Sequence, residues 1–501
     1  MQNQLADNRL AVLFHRPIVS PPPSPPPSYN YKTICTLQLS LIQPGLCVRP
    51  VLSFPACVLR STLIRHCYRP RSTPMARFAS LLCTIFGLLS AVTAVPTPQN
   101  SGPARRWLNF GYGLGDKVRG VNIGGWLVLE PYINLSLFRQ FPVDNIPVDE
   151  YHFCQYLGKD ECLSQLQAHW ASWLSADDFA QMKAAGLNHV RIPIGYWAFQ
   201  LLDSDPYVQG QIPYLEQALQ WARQNGLKVW IDLHGVPGSQ NGFDNSGLRD
   251  SFAWQTDANL EVTLNVMSTM IAKYAASEWN DVVVAIQPVN EPLGPVLDRT
   301  KIEAYYDFSY YQLRNVEGSD IALALHDAFY PTTSWNSFLQ YPEYTHVILD
   351  HHAYQVFSNG EVARDQAAHL AQTCVEGQNI LSTTLWTVVG EWSAAMTDCA
   401  EWLNGVYRGA RYDGSYTDNG GSSFVGSCAT RWDFSTWSDT DKANSRQYIE
   451  AQMDAYEQGQ GWIFWCWKTE NAVEWDFSFL LQNGIIPQPL DSRQFPSACT
   501  F

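Results

Sequence analysis

The 501-residue chain has no Gly-x-Gly-x-x-Gly turn and no Gly-x-x-x-x-Gly-Lys-Ser/Thr loop, so no motif supports a dinucleotide or nucleotide-phosphate site. It has no His-x-Glu or His-Glu-x-x-His spacing, and its cysteines do not fall at zinc-ligand intervals. No internal repeat is apparent, which removes solenoid and propeller architectures. Basic residues are scarce beyond the N-terminal fifth. Residues 1–106 hold 11 of the 32 Lys and Arg but one of the 47 Asp and Glu, so the rest carries 21 basic against 46 acidic side chains, a net charge of −25. A surface that acidic excludes nucleic acid and an anionic membrane as partners. It suits a neutral substrate.

What is present is apolar and aromatic. Hydrophobic residues make up 46% and aromatics 13%, with 19 Trp and 24 Tyr. That is ample for one large barrel, whose usual size is roughly 250 to over 400 residues. Aromatic faces suit sugar rings, but a large core uses them too.

The N-terminus reads separately. Residues 1–74 include Pro-Pro-Pro-Ser-Pro-Pro-Pro and show no amphipathic pattern, the expectation for an unstructured extension upstream of a mis-set start. Met75 opens a stretch with one positive charge, an apolar run and small residues ending at Ala94, which reads as a secretory signal peptide over 75–94. The alternative is a type II signal-anchor at the plasma membrane over Phe78 to Val95. Residues 95–106 form a short propeptide or linker ending in Arg105-Arg106, and the folded domain is expected over 107–501. Export would permit disulfides. Cys399–Cys428, Cys374–Cys499 and Cys154–Cys162 are the expected pairs, with Cys466 a free core thiol, although sequence alone leaves the pairing open. Asn134-Leu-Ser is the one glycosylation sequon of the domain.

Eight short apolar runs recur, at Val118–Leu127, His189–Trp197, Leu227–Leu233, Val282–Val289, Ile321–Leu325, His346–Leu349, Trp386–Val389 and Gly461–Trp467. Several lack alternation, as strands covered on both faces do. Helical segments separate them, at Ala176–Ala185, Tyr214–Asn225, Leu260–Ala275, Lys301–Val316, Val362–Leu381 and Arg446–Gln458. Eight such strands read as a (β/α)₈ TIM barrel, an α/β fold in one catalytic domain. The ends of the strands then converge on one mouth. There the sequence places Glu130, Arg191, Asp232, His234, Asn290-Glu291, Asp350-His351-His352-Ala353-Tyr354, Glu391 and Trp467-Lys468-Thr469-Glu470. A buried acid is costly without a use. Glu291 and Glu391, each closing an apolar run, make the pair that glycoside hydrolysis needs.

Several long stretches carry a resemblance. They are Val118–Pro131, His189–Trp197, Asp232–Gly247, Asn290–Pro292, Asp350–Phe357, Gly390–Ser393 and Gly461–Glu470. In order, they resemble the fungal exo-β-1,3-glucanases of glycoside hydrolase family 5, from Val118 to the C-terminus. The resemblance implies Glu291 as acid/base and Glu391 as nucleophile, roughly 5–5.5 Å apart in a retaining site. Glu391 is then ionised and Glu291 protonated when substrate binds. It implies Arg191 and Tyr354 holding Glu391, and Asn290 on the sugar 2-hydroxyl. Glu130, His234, Asp244 and His352 would bind other hydroxyls. Trp467 would stack under the ring, and Phe243 and Phe357 would clamp the next glucose. Ala353 stands where relatives carry a third His. The Gly409–Gly426 segment is expected to shape the cleft in its own way. No cofactor and no metal are implied; the partner is a β-glucan polysaccharide or oligosaccharide, and the protein is an extracellular or cell-wall monomer without stable membrane contact. The rival readings are a β-1,6-glucanase, a glucosidase acting on glucosylceramide or a steryl glucoside, a metal hydrolase using Asp232, His234, His351 and His352, and a silent cell-wall glucan-binding protein.

Overall fold

The computed structural model describes Tyr112 and residues 115–501 apart from Asn419. The upstream extension, signal peptide or anchor, Arg105-Arg106 and the domain start at 107 lie outside the described residues. Eight strands form the barrel: β1 (Val118–Asn122), β2 (His189–Gly195), β3 (Lys228–Gly235), β4 (Val283–Gln287), β5 (Ala322–His326), β6 (Val347–Ala353), β7 (Trp386–Trp392) and β8 (Gly461–Phe464). Each pairs in parallel with the next, and β8 with β1, so the sheet closes. This is the (β/α)₈ barrel read from the apolar runs, and every strand overlaps its run.

The connections differ in detail. Two helices absent from the sequence reading, Glu150–Leu157 and Lys159–Trp173, precede the helix Ala176–Ala184. The passage from β5 to β6 holds only the 3₁₀ turn Thr332–Trp335. The last expected turn of the segment 301–316 is a π-helical turn, Gln312–Val316. The helices Ile212–Asn225, Asp257–Tyr274, Gln366–Leu381 and Asp439–Tyr456 lie where the patterns placed them within a few residues, apart from the earlier start of the last, and the short helices Leu135–Arg139, Asn359–Val362 and Phe477–Gln482 were not expected.

Alternation along the strands positions the site. Val118, Trp230, Ala285, Ala322, Ala324, Ile348, Val388 and Ile463 fill the barrel interior, and the alanines make room for the indole. Two residues on from several of these, at the period-2 spacing of a strand, the interior turns polar. Asp232, Gln287, His326 and Asp350 follow Trp230, Ala285, Ala324 and Ile348 and are fully buried. One step further come His234 and His352, and two residues on from Ile463 comes Trp465. The intervening residues face the helices: Val190, Ile192, Phe464 and Trp462 join the outer core. At Gly390 a Cβ would sit 1.9 Å from an Asp350 carboxylate oxygen, so only glycine fits there.

Disulfides join Cys154–Cys162, Cys374–Cys499 and Cys399–Cys428, and Cys466 is free and buried, as expected. The sequon does not offer its asparagine to solvent. Asn134 is fully buried, and its Oδ1 accepts from the Glu130 backbone N–H at 3.1 Å, so the folded domain has no room for a glycan there. Among the described residues, no helix is long and apolar enough to cross a membrane.

Candidate active site

A cavity of about 360 Å³ opens at the C-terminal ends of the strands. Glu291 and Glu391 both line it, and both are nearly buried. Glu391 lies within β7. Glu291 sits just beyond β4 with φ +45°, a left-handed conformation that a non-glycine residue adopts only when its surroundings impose it.

Each carboxylate is held at both oxygens. Arg191 Nη1 donates to Glu391 Oε1 at 2.8 Å, and the Tyr354 hydroxyl donates to Oε2 at 2.9 Å. Asn245 Nδ2 donates to Glu291 Oε2 at 3.0 Å, and His352 Nδ1 lies 2.8 Å from Glu291 Oε1. The same His352 nitrogen is 3.4 Å from Glu391 Oε2, and its Nε2 is 3.1 Å from Asp350 Oδ2. One imidazole therefore stands between the two acids.

Arg191 organises the floor. Its guanidinium reaches Asn122, Gln287, Asn290 and Glu391 at 2.8 Å each and Asp232 at 3.0 Å. Burial opposes its charge, but Asp232 and Glu391 outweigh that and keep it protonated. With Asn290 Oδ1 given to Arg191, the buried Asn290 amide donor is left without a partner. Burial, reinforced by Glu391, raises the Tyr354 phenol far above its ordinary range, so it stays a donor.

The protonation pattern departs from the sequence expectation. Burial raises the Glu291 carboxyl, but the hydrogen bond and charge of His352 outweigh it and lower it to about 2. Burial raises Glu391, against the opposing charges of His352 and Arg191. Burial disfavours the charged form of His352, yet Glu391 and Asp350 hold it well above the usual histidine range. The His352 nitrogen lies closer to Glu291 than to Glu391, and these directions favour a proton on His352 over one on Glu291.

The other expected residues divide. Glu130, Phe243, Asp244 and Phe357 line the cavity, the two phenylalanines exposed at its rim. Burial, with the charge of Asp244 next, raises Glu130 well above the carboxylate range, and burial raises Asp244 to about 7. Glu130 Oε1 and Asp244 Oδ2 are buried without partners. His234 is buried, its Nδ1 2.6 Å from Asp232 Oδ2 and its Nε2 unpartnered.

Trp467 is a correction. Its Nε1 donates to Asp178 at 2.9 Å and its ring stacks on Phe477, away from the cavity. Trp465 lines the cavity instead, stacked on His234 with centroids 5.5 Å apart. Counting by twos from the interior residue Ile463 reaches Trp465 and Trp467 alike, and the strand ends at Phe464, so alternation alone does not separate them. Asn245, Trp475 and Asn404, Arg408, Arg411 and Tyr416 also line the cavity; only the last two fall in the Gly409–Gly426 segment singled out for its composition.

His351 faces outward, 2.6 Å from Asp327 Oδ2, and so takes no part in a metal site with His352. Glu291, His326 and His352 do offer ligand atoms within 4.8 Å of one another. Hydrogen bonding already accounts for much of that cluster, since His326 Nδ1 accepts from the Ala328 N–H at 3.0 Å and His352 is held by carboxylates at both nitrogens.

Residues 154–471 match the family described as Cellulase (glycosyl hydrolase family 5). The chain is 52% identical over 425 residues to a glucan 1,3-beta-glucosidase of Candida oleophila, covering 83% of this chain and 98% of that protein. It is 50% identical over 444 residues to glucan 1,3-beta-glucosidase I/II of Saccharomyces cerevisiae, covering 85% and 99%. The crystal structure of rutinosidase from Aspergillus niger shares the fold, with a TM-score of 0.58 at 18% identity over 74% of this chain and 98% of that one.

Proposed function

This chain belongs to glycosyl hydrolase family 5, and from that premise we propose that it is an exported glucan 1,3-β-glucosidase, releasing glucose from the non-reducing ends of β-1,3-glucan with retention of configuration. The observation that carries this reading is the Glu291–His352–Glu391 cluster. A shared nitrogen at 2.8 and 3.4 Å keeps the two carboxylate oxygens closer than the ~6.5–9.5 Å of inverting sites, where water must fit between. Relatives at about half identity that are named for this activity supply the substrate class.

In this reading Glu391, oriented by Arg191 and Tyr354, attacks the anomeric carbon. The leaving oxygen takes its proton from Glu291. That proton is stored on His352 and moves across the 2.8 Å hydrogen bond as the reaction withdraws negative charge from Glu391. Water, deprotonated by Glu291, then releases glucose. The Asn290 amide and the Glu130 and Asp244 carboxyls, each with an unpartnered buried atom, offer hydrogen bonds to sugar hydroxyls. Trp465 replaces Trp467 as the platform under the ring. No step calls for a metal.

The test is the product profile on laminarin, pustulan and cellulose, with the anomer of the first product recorded. The reading expects β-glucose from laminarin as the main product. Preference for pustulan would move the assignment to β-1,6-glucan, and no release from any of them would favour a binding protein.

A further inference from the structure

The left-handed turn at Glu291 has to be imposed, because at φ +45° a side chain crowds its own backbone. Pro292 adds to the demand, since a proline ring narrows the conformations open to the residue before it. The strand pairing of β4 ends at Gln287, so the sheet ladder does not reach the turn.

Gln240, in the loop after β3, closes on that turn from both sides. Its Nε2 donates to the Asn290 carbonyl at 2.9 Å, just before Glu291. Its own carbonyl accepts from the Leu293 N–H at 3.0 Å, just after Pro292. The other hydrogen of Nε2 goes to the His234 carbonyl at 2.8 Å, and Oε1 accepts from the Val236 N–H at 3.2 Å. An amide that meets two carbonyls at its nitrogen and an N–H at its oxygen fits only one way round. Gln240 is fully buried and does not line the cavity. The same loop aims the carboxylate. Asn241 Nδ2 donates to Asn245 Oδ1 at 3.2 Å, which turns the Asn245 amide nitrogen toward Glu291 Oε2, 3.0 Å away.

We propose that Gln240 is a positioning residue for acid catalysis: by bracketing the turn at Glu291 it keeps that carboxyl within reach of the leaving oxygen. The inference rests on the acid/base reading of Glu291 and deepens it. Without the Gln240 amide the buried Asn290 and His234 carbonyls lose this donor, and the turn relaxes toward extended backbone, carrying the carboxyl with it. A shift of about 1 Å in a reacting group is enough to cost on the order of 100-fold in rate. Glu391 stands on β7 and is held by Arg191 and Tyr354, so attack on the sugar does not run through Gln240.

Gln240→Met keeps the reach of the side chain and removes its amide, and Glu291→Gln is the reference. Rates are measured in the full-length enzyme on laminarin and on aryl β-glucosides of graded leaving-group basicity. They are expressed per active site, counted by the aryl group released in the first turnover of an activated 2-deoxy-2-fluoroglucoside. The proposal expects Gln240→Met to lose about 10-fold or more in kcat/KM on laminarin and the poorest leaving groups, and the loss to shrink as the leaving group improves. The laminarin loss appears in kcat, with no rise in KM. A fault of packing alone lowers every substrate alike. If too few Gln240→Met molecules fold to be counted, Gln240→Glu takes their place. It keeps the acceptor for Val236 but offers at most one hydrogen to the two carbonyls, and the same graded loss is expected at smaller size. A loss independent of leaving group in the variant that folds, or no loss, while Glu291→Gln shows the graded one, overturns the role of Gln240. A Glu291→Gln loss that is itself independent of leaving group overturns the acid role, and this inference with it.

Discussion

His352 and Glu291 share a 2.8 Å hydrogen bond, and the same imidazole nitrogen stands 3.4 Å from Glu391. Three groups that exchange protons therefore behave as one unit, and its titration belongs to the set rather than to any member. Replacing His352 by Gln removes the positive charge that lowers Glu291 to about 2. Glu291 then rises toward or above the ordinary carboxylate range, and a carboxyl rather than an imidazolium holds the catalytic proton. A carboxyl loses its proton at lower pH, so the alkaline limb of kcat/KM moves to lower pH in the variant. An unmoved limb with a merely lower plateau would show that His352 only packs.

Glu291→Gln separates the acid role from the base role. General acid–base assistance is typically worth about 10²–10⁴-fold. The loss in kcat/KM is expected near that size on laminarin and much smaller on an aryl glucoside whose leaving group needs no proton. Equal losses on both substrates would count against the acid role.

Trp465 and Trp467 give a paired test of the corrected platform. Trp465→Ala removes the indole that lines the cavity and lowers kcat/KM on glucan, with KM rising. Trp467→Phe loses the 2.9 Å bond to Asp178 but keeps an aromatic ring against Phe477, so thermal stability falls while the kinetics change little. The reverse pattern would restore Trp467 to the site.

Stability is expected to fall as pH rises past neutrality. Burial raises Glu150 to about 8, Glu474 to about 7 and Asp244 to about 7. Acids raised in the folded state contribute stability that is complete below their unfolded values and is lost as pH rises through the folded ones. Burial lowers His169 to about 4, His189 to about 3 and His326 to about 4, and their contribution has the opposite sign, being lost as pH falls below 6.5. The two sets oppose each other between about 4.5 and 6.5, and above that the acids are joined by His351, which burial would lower but Asp327 raises to about 10, and by His352, whose raised value acts in the same direction. Thermal unfolding followed at several pH values should show the midpoint dropping by several degrees between about pH 6.5 and 8. A midpoint that climbs over that range contradicts the assignment.

Much of this was legible in the chain because a parallel barrel writes its plan in short β-branched runs and places its chemistry where they end. Glu291, Glu391, Arg191 and Tyr354 follow from that rule, whereas Phe243 and Phe357 came from the family resemblance and Phe329 was missed. Trp467 misled because the run Trp-Ile-Phe-Trp-Cys-Trp offers an aromatic at nearly every step, and strand alternation from Ile463 would place Trp465 and Trp467 on the same face; that the strand ends at Phe464 is not legible in the run. The protonation order was invisible too: it depends on a difference of 2.8 against 3.4 Å around one imidazole. The sequon at Asn134 looked available because burial is not written in three residues.

The central claim is that Glu391 becomes covalently bonded to the sugar. Incubation with an activated 2-deoxy-2-fluoroglucoside, proteolysis and mass spectrometry test it directly. The account predicts a fluoroglucosyl adduct on the peptide containing Glu391, absent in Glu391→Gln. An adduct on another residue, or hydrolysis that gives the inverted anomer with no adduct at all, would contradict it.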